Sequence, residues 1–77
     1  MTTDITNPDY IKRQFAMRDL GLTVATIRAI MTAPDDQVFA ALETGRAQLP
    51  TLTGDTADRA KMMLAAFEIE AASRKGR

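Results

Sequence analysis

Prolines and glycines punctuate this chain at intervals that admit helices of moderate length and little else. Asn7-Pro8-Asp9 reads as a helix start, since Asn can cap free amides, Pro is pre-set for the first helical position, and Asp favours the positive end of the helix dipole. That helix is predicted over 8–20 and is expected to stop at Gly21, which takes a left-handed conformation without a Cβ penalty. Ala33-Pro34-Asp35-Asp36 repeats the start signal and opens a helix predicted over 35–44, with Gly45 as its expected end and Val38, Phe39 and Leu42 as its apolar face. Between them, Thr23, Val24, Thr26, Ile27 and Ile30 are β-branched and permit a strand. The spacing of Ile27, Ile30 and Met31 instead favours a short buried helix over 23–32. Residues 46–54, with Pro50, Thr51, Thr53 and Gly54, read as a loop that tucks Leu49 and Leu52 against the domain. A last helix, predicted over 55–74, starts at Asp55-Thr56-Ala57-Asp58 and is supported by its alanines, while residues 1–6 and 75–77 are expected to fray. The expected fold class is all-α, a single domain of four helices with short connections.

Size and composition narrow the chemistry. A chain of 77 residues has little interior in which to enclose a cofactor. Cysteine, histidine and tryptophan are absent, which excludes disulfides, Cys/His metal sites, thiol chemistry and imidazole base catalysis. Asp35 and Asp36 are explained by a helix N-terminus, and Glu68 and Glu70 are two residues apart, so they diverge too far on a helix to act as an acid–base pair. The four glycines form no phosphate-binding loop. No enzymatic activity, cofactor or metal site is expected. Nothing at the N-terminus resembles a signal peptide, and the longest apolar run, 62–67, is too short to span a membrane, so a cytoplasmic location is expected.

Residues 16–31 read Ala-Met-Arg-Asp-Leu-Gly-Leu-Thr-Val-Ala-Thr-Ile-Arg-Ala-Ile-Met. This segment resembles the helix-turn-helix of the Cro-like and Xre-like repressor family. Leu20-Gly21 ends the first helix of the motif, Leu22 plugs the space between the helices, Thr23 caps the second, and Ile27 with Ile30 anchors it. The resemblance implies that 23–32 is a recognition helix whose outward residues, Thr23, Val24, Ala25, Arg28, Ala29 and Thr32, face the major groove of double-stranded DNA. Arg28 is the residue of that set suited to a bidentate contact with guanine. Basic residues cluster at Lys12, Arg13 and Arg18 and again at Arg74, Lys75 and Arg77. Either cluster can contact phosphates or simply form a solvated surface.

On a helical wheel the last helix shows two apolar sides. Ala60, Met63, Leu64, Phe67 and Ala71 form the expected core face, while Met62, Ala66 and Ile69 fall nearly opposite and are expected to form a partner surface, most simply a homodimer seam. A small DNA-binding transcriptional regulator, of the size carried by phages and mobile elements and acting as a dimer, is one expected function. The ten basic and ten acidic residues cancel, however, and nucleic-acid binders usually carry a basic excess. The alternative is a protein-binding inhibitor or adaptor, similar in size and helicity to anti-CRISPR proteins and antitoxins, that acts by occupying a partner's surface.

Overall fold

The computed structural model of the protein describes residues 7–76, and within them the chain forms four α-helices in the order α1 (Pro8–Asp19), α2 (Val24–Thr32), α3 (Asp35–Gln48) and α4 (Gly54–Lys75), with a single 3-10 turn at Leu49–Thr51. Residues 1–6 and Arg77, expected to fray, lie outside the described residues. Two of the start signals form side-chain caps, whereas α3 opens after Pro34 and α4 after Thr53 without one. The Asn7 side chain accepts from the Asp9 amide at 2.9 Å, and Thr23 accepts from the Thr26 amide at 3.2 Å, so α1 and α2 each open on a capped turn. The all-α fold class holds, as four helices and no strand among the described residues.

The organising element is α4. Its 22 residues make a rod about 33 Å long at 1.5 Å per residue, close to the 38 Å longest dimension of the molecule. The other three helices all pack on it. One cluster joins Met17 of α1, Ile27, Ile30 and Met31 of α2, and Ala66 of α4, with Tyr10, Leu20, Leu22, Met63 and Ile69 packed around it. The second joins Val38 and Leu42 of α3 to Ala71 of α4, flanked by Ala33, Phe39 and Leu64. Phe67 touches both and ties them into one core.

This arrangement corrects the expected partner surface. Ala66 is 0% exposed and sits inside the first cluster, Ile69 packs against that cluster, and Met62 is half-buried. Ala66 and Ile69 are therefore packed against α1 and α2 of the same molecule and do not form, with Met62, a free apolar stripe. The wheel showed two apolar sides because α4 is central, with neighbours on both sides, whereas a peripheral helix would show one.

The end of α3 also differs from expectation. The helix continues through Gly45 to Gln48, and Leu49 and Leu52 then fold back half-buried, as the loop reading anticipated. Gly45 is helical because what it supplies is room. A Cβ built there lies 3.0 Å from Cδ1 of Leu64, so the missing side chain lets α3 approach α4 closely. For Gly45→Ala two effects oppose: alanine gains about 1 kcal/mol in helix propensity, while Leu64 must shift by a few tenths of an ångström. The expected net change in urea-unfolding free energy is within about 1 kcal/mol of zero, whereas Gly45→Val should lose about 1–3 kcal/mol through overpacking. Equal effects of the two substitutions would refute the close-approach account.

Lys75, expected to fray, instead belongs to the last turn of α4, with Nζ 5.7 Å from the Phe39 ring centroid. That contact extends cover over an aromatic side chain that the helix cannot itself enclose.

Candidate functional site

Gly21 adopts φ +88°, the left-handed conformation expected of it, immediately after Leu20 closes α1 with its amide bonded to Met17 at 3.2 Å. No heavy atom lies within 4 Å of a Cβ built on Gly21, so the demand for glycine there is purely conformational. Gly21→Ala should therefore cost about 1–2 kcal/mol of stability, and Gly21→Asn measurably less, because asparagine tolerates positive φ better. A denaturant titration in which alanine equals glycine would contradict the turn geometry. Leu22 is half-buried against the first core cluster, and Ile27 and Ile30 are buried beneath α2, in the plug and anchor positions that the sequence assigned to them.

Thr23, Val24, Ala25, Arg28, Ala29 and Thr32 are all exposed and form one continuous outward arc. Their chemistry is less polar than their composition suggests. The Thr23 hydroxyl is engaged with both the amide and the hydroxyl of Thr26, and the Thr32 hydroxyl donates to the carbonyl of Arg28 at 2.8 Å. Arg28 is thus the one strong polar group of the arc not tied to its own helix, and it makes no ion pair among the described residues. Val24 remains 46% exposed.

Beside this arc lies a feature that the linear sequence did not reveal. A groove of about 420 Å³ runs between α2, the start of α3 and the middle of α4. Its α2 wall is Ala25, Thr26 and Ala29, and its inner surface includes Ile30, Met63 and Phe67. Ala25 and Ala29, which the resemblance implied would face the major groove, are groove walls whose small size keeps the depression open. The signal was present as a run of alanines at helical spacing, but only the packing of α4 beneath them converts that run into a concave surface.

The basic clusters divide into buried and free members. Arg13 is 8% exposed and bonds through Nη1 to Oε2 of Glu70, itself 1% exposed. Arg74 bonds to the other oxygen of Glu70 at 2.9 Å and to Asp35 at 2.7 Å. Asp9 completes the chain at 3.3 Å from Arg13 Nε and accepts a hydrogen bond from Ser73. The resulting array, Asp9–Arg13–Glu70–Arg74–Asp35, passes from the first turn of α1 through the interior to the first turn of α3. Arg13 and Arg74 are therefore internal counterions of Glu70, which corrects both cluster readings: they are not available to phosphates. Lys12, Arg18 and Lys75 remain exposed, and Arg77 lies outside the described residues.

On the outer side of α1, Ile11 and Phe15 stand one turn apart and stay exposed, Phe15 by 57%. Among the described residues no helix is long and apolar enough to cross a membrane. In comparisons with known proteins the chain matches no family model, no curated protein and no solved structure.

Proposed function

We propose that this protein is a non-enzymatic binding module that holds an apolar, amphipathic helical segment of a protein partner on the α2 face, acting as an inhibitor or adaptor. The groove beside α2 carries the reading. Its volume of about 420 Å³ and its lining of Ala25, Ala29, Ile30, Met63 and Phe67 suit a few aliphatic or aromatic side chains, and the adjoining Val24 extends the apolar surface. Helix-in-groove recognition uses such a surface, with anchors at helical spacing entering an apolar depression. Zero net charge and the internal engagement of Arg13 and Arg74 weigh in the same direction, because a phosphate backbone is held mainly by free cations.

A photoreactive side chain tests the site directly. With p-benzoylphenylalanine introduced as Ala29→p-benzoylphenylalanine, irradiation in native host cells is expected to yield one discrete protein adduct. The same group at exposed Arg59, outside the groove, is expected to yield none. Adducts of equal pattern from both positions, or none from position 29, would count against the reading.

A second reading, binding of double-stranded operator DNA, is favoured by one observation: the Gly21 turn, Leu22 plug and Thr23 cap leave Arg28 free on an uncovered helix. It makes a distinct prediction. On that reading, a duplex selected at low salt binds with steep salt dependence, and Arg28→Ala weakens it by about 1–3 kcal/mol. The protein-binding proposal expects no retained duplex that depends on Arg28 in a gel-shift selection from random sequences.

A further inference from the structure

α2 ends at Ala33-Pro34, where proline stops the helix and the Ala33 amide closes on the Ile30 carbonyl at 3.4 Å. No basic residue lies in its last turn, no glycine follows it, and the chain leads straight into α3 in extended backbone, with Pro34 offering no amide to the last-turn carbonyls. Those carbonyls are met from 43 and 44 residues away. Nη2 of Arg74 lies 3.4 Å from the carbonyl oxygens of Ile30 and Met31, while Nη1 of the same guanidinium holds Asp35 in the first turn of α3 and Nε holds Glu70. One planar group therefore bonds the negative end of α2, the acidic start of α3 and the interior of α4 at once. A lysine ammonium cannot reproduce this fork, because its donors radiate from a single point.

The corner that Arg74 grips carries part of the groove wall. Ile30, Ala33 and Gln37 line the depression and belong to the stretch between the end of α2 and the first turns of α3. Apart from Arg74, the polar contacts across the corner among the described residues are short-range: the Ala33 amide to Ile30 at 3.4 Å and the Val38 amide to Pro34 at 3.1 Å. We infer that the α2–α3 corner is a hinged flap latched by Arg74, and that releasing the guanidinium lets the corner swing out and widen the groove over Ile30 and Phe67. Arg74 is thus a positioning residue for the surface proposed above. The latch itself stands on the corner geometry, and its test needs no partner, so failure of the latch and failure of the binding proposal are separate results.

The chain contains no cysteine, which allows single thiols to report local opening. Ile30→Cys places a thiol on the inner side of the flap, and Met17→Cys places one in the α1 side of the core, at positions 3% and 0% exposed. The probe is the labelling rate with an aromatic disulfide reagent under native conditions. Combining Arg74→Lys with Ile30→Cys is expected to raise that rate by about tenfold or more, with a much smaller change for the thiol of Met17→Cys, as local opening requires. Should Arg74→Lys fail to fold, Asp35→Asn removes only the 69%-exposed arm of the latch and is expected to raise labelling on the inner side of the flap by about threefold. Equal acceleration at both thiols, which signals global unfolding, overturns the flap, and so does an unchanged rate at the thiol of Ile30→Cys.

Discussion

Glu70→Ala is expected to remove about 3–5 kcal/mol of unfolding free energy, the effect of breaking a buried ion array by deleting its central member. Glu70 is 1% exposed, and each carboxylate oxygen faces a different guanidinium, Arg13 on one side and Arg74 on the other. Without it, two largely buried cations lose their shared counterion and retain only Asp9 and Asp35, both well exposed to water. A domain of this size has a total stability of roughly 4–12 kcal/mol, so the variant should be largely unfolded at physiological temperature or nearly so. Glu70→Gln should fall between the two, since it keeps hydrogen-bond acceptance on one atom and loses the charge. Urea titration followed by circular dichroism measures all three proteins. A loss below about 1 kcal/mol for Glu70→Ala would mean that water reaches the array and that it behaves as a surface pair. The array need not be the most stable filling of that space. Replacing Arg13, Glu70 and Arg74 together with apolar residues of similar volume can be neutral or stabilising, and what such a variant would lose is the set of directional bonds that orients α1 and the α2–α3 corner around α4.

The same array marks where sequence reasoning stopped. The starts of α1 and α2, the turn at Gly21 and the apolar anchors Ile27 and Ile30 were legible because each depends on residues within a few positions of one another. Gly45 misled because a glycine near a helix end and a glycine at a helix crossing look alike until the crossing partner, Leu64, is known. Arg13 misled for the same reason, because its partner Glu70 lies 57 residues away; Arg74 stands one turn after Glu70 on the same helix, and there the hidden fact was the burial of the pair, since a charged side chain in an amphipathic pattern is by default a surface residue. The two apolar sides of α4 were read correctly as a pattern, and their meaning depended on how many helices surround that rod. The exposed arc of α2 was legible residue by residue, but the groove beside it is a joint property of three helices and has no linear signature.

Met17→Ala is the second large effect, with an expected loss of about 2–5 kcal/mol. Met17 is 0% exposed and, with Glu70 and Val38, is one of the largest fully buried side chains. It projects from α1 into the cluster formed by Ile27, Ile30 and Met31 of α2 and Ala66 of α4, so it is the buried apolar contact through which the first helix joins the rest, beside the Arg13–Glu70 ion pair. Truncation removes the thioether and its methylenes from a site where the facing residue, Ala66, is too small to fill the void, and the lining loses its dispersion partners. A nearby apolar side chain, Leu20 or Ile69, can relax toward the gap, but both already pack on the cluster and their movement opens space elsewhere. Met17→Leu conserves most of the volume and should cost less than about 1.5 kcal/mol, which separates volume from any special role of sulfur. At about 4–8 °C of melting temperature per kcal/mol for a domain of this length, the alanine and leucine variants should be resolved clearly in a thermal scan. If Met17→Ala melts within a few degrees of the parent chain, α1 is not held by this cluster, and the turn at Gly21 loses its anchor on the α1 side; a large loss for alanine with a small one for leucine is the pattern that a tightly packed α1–α2–α4 junction requires.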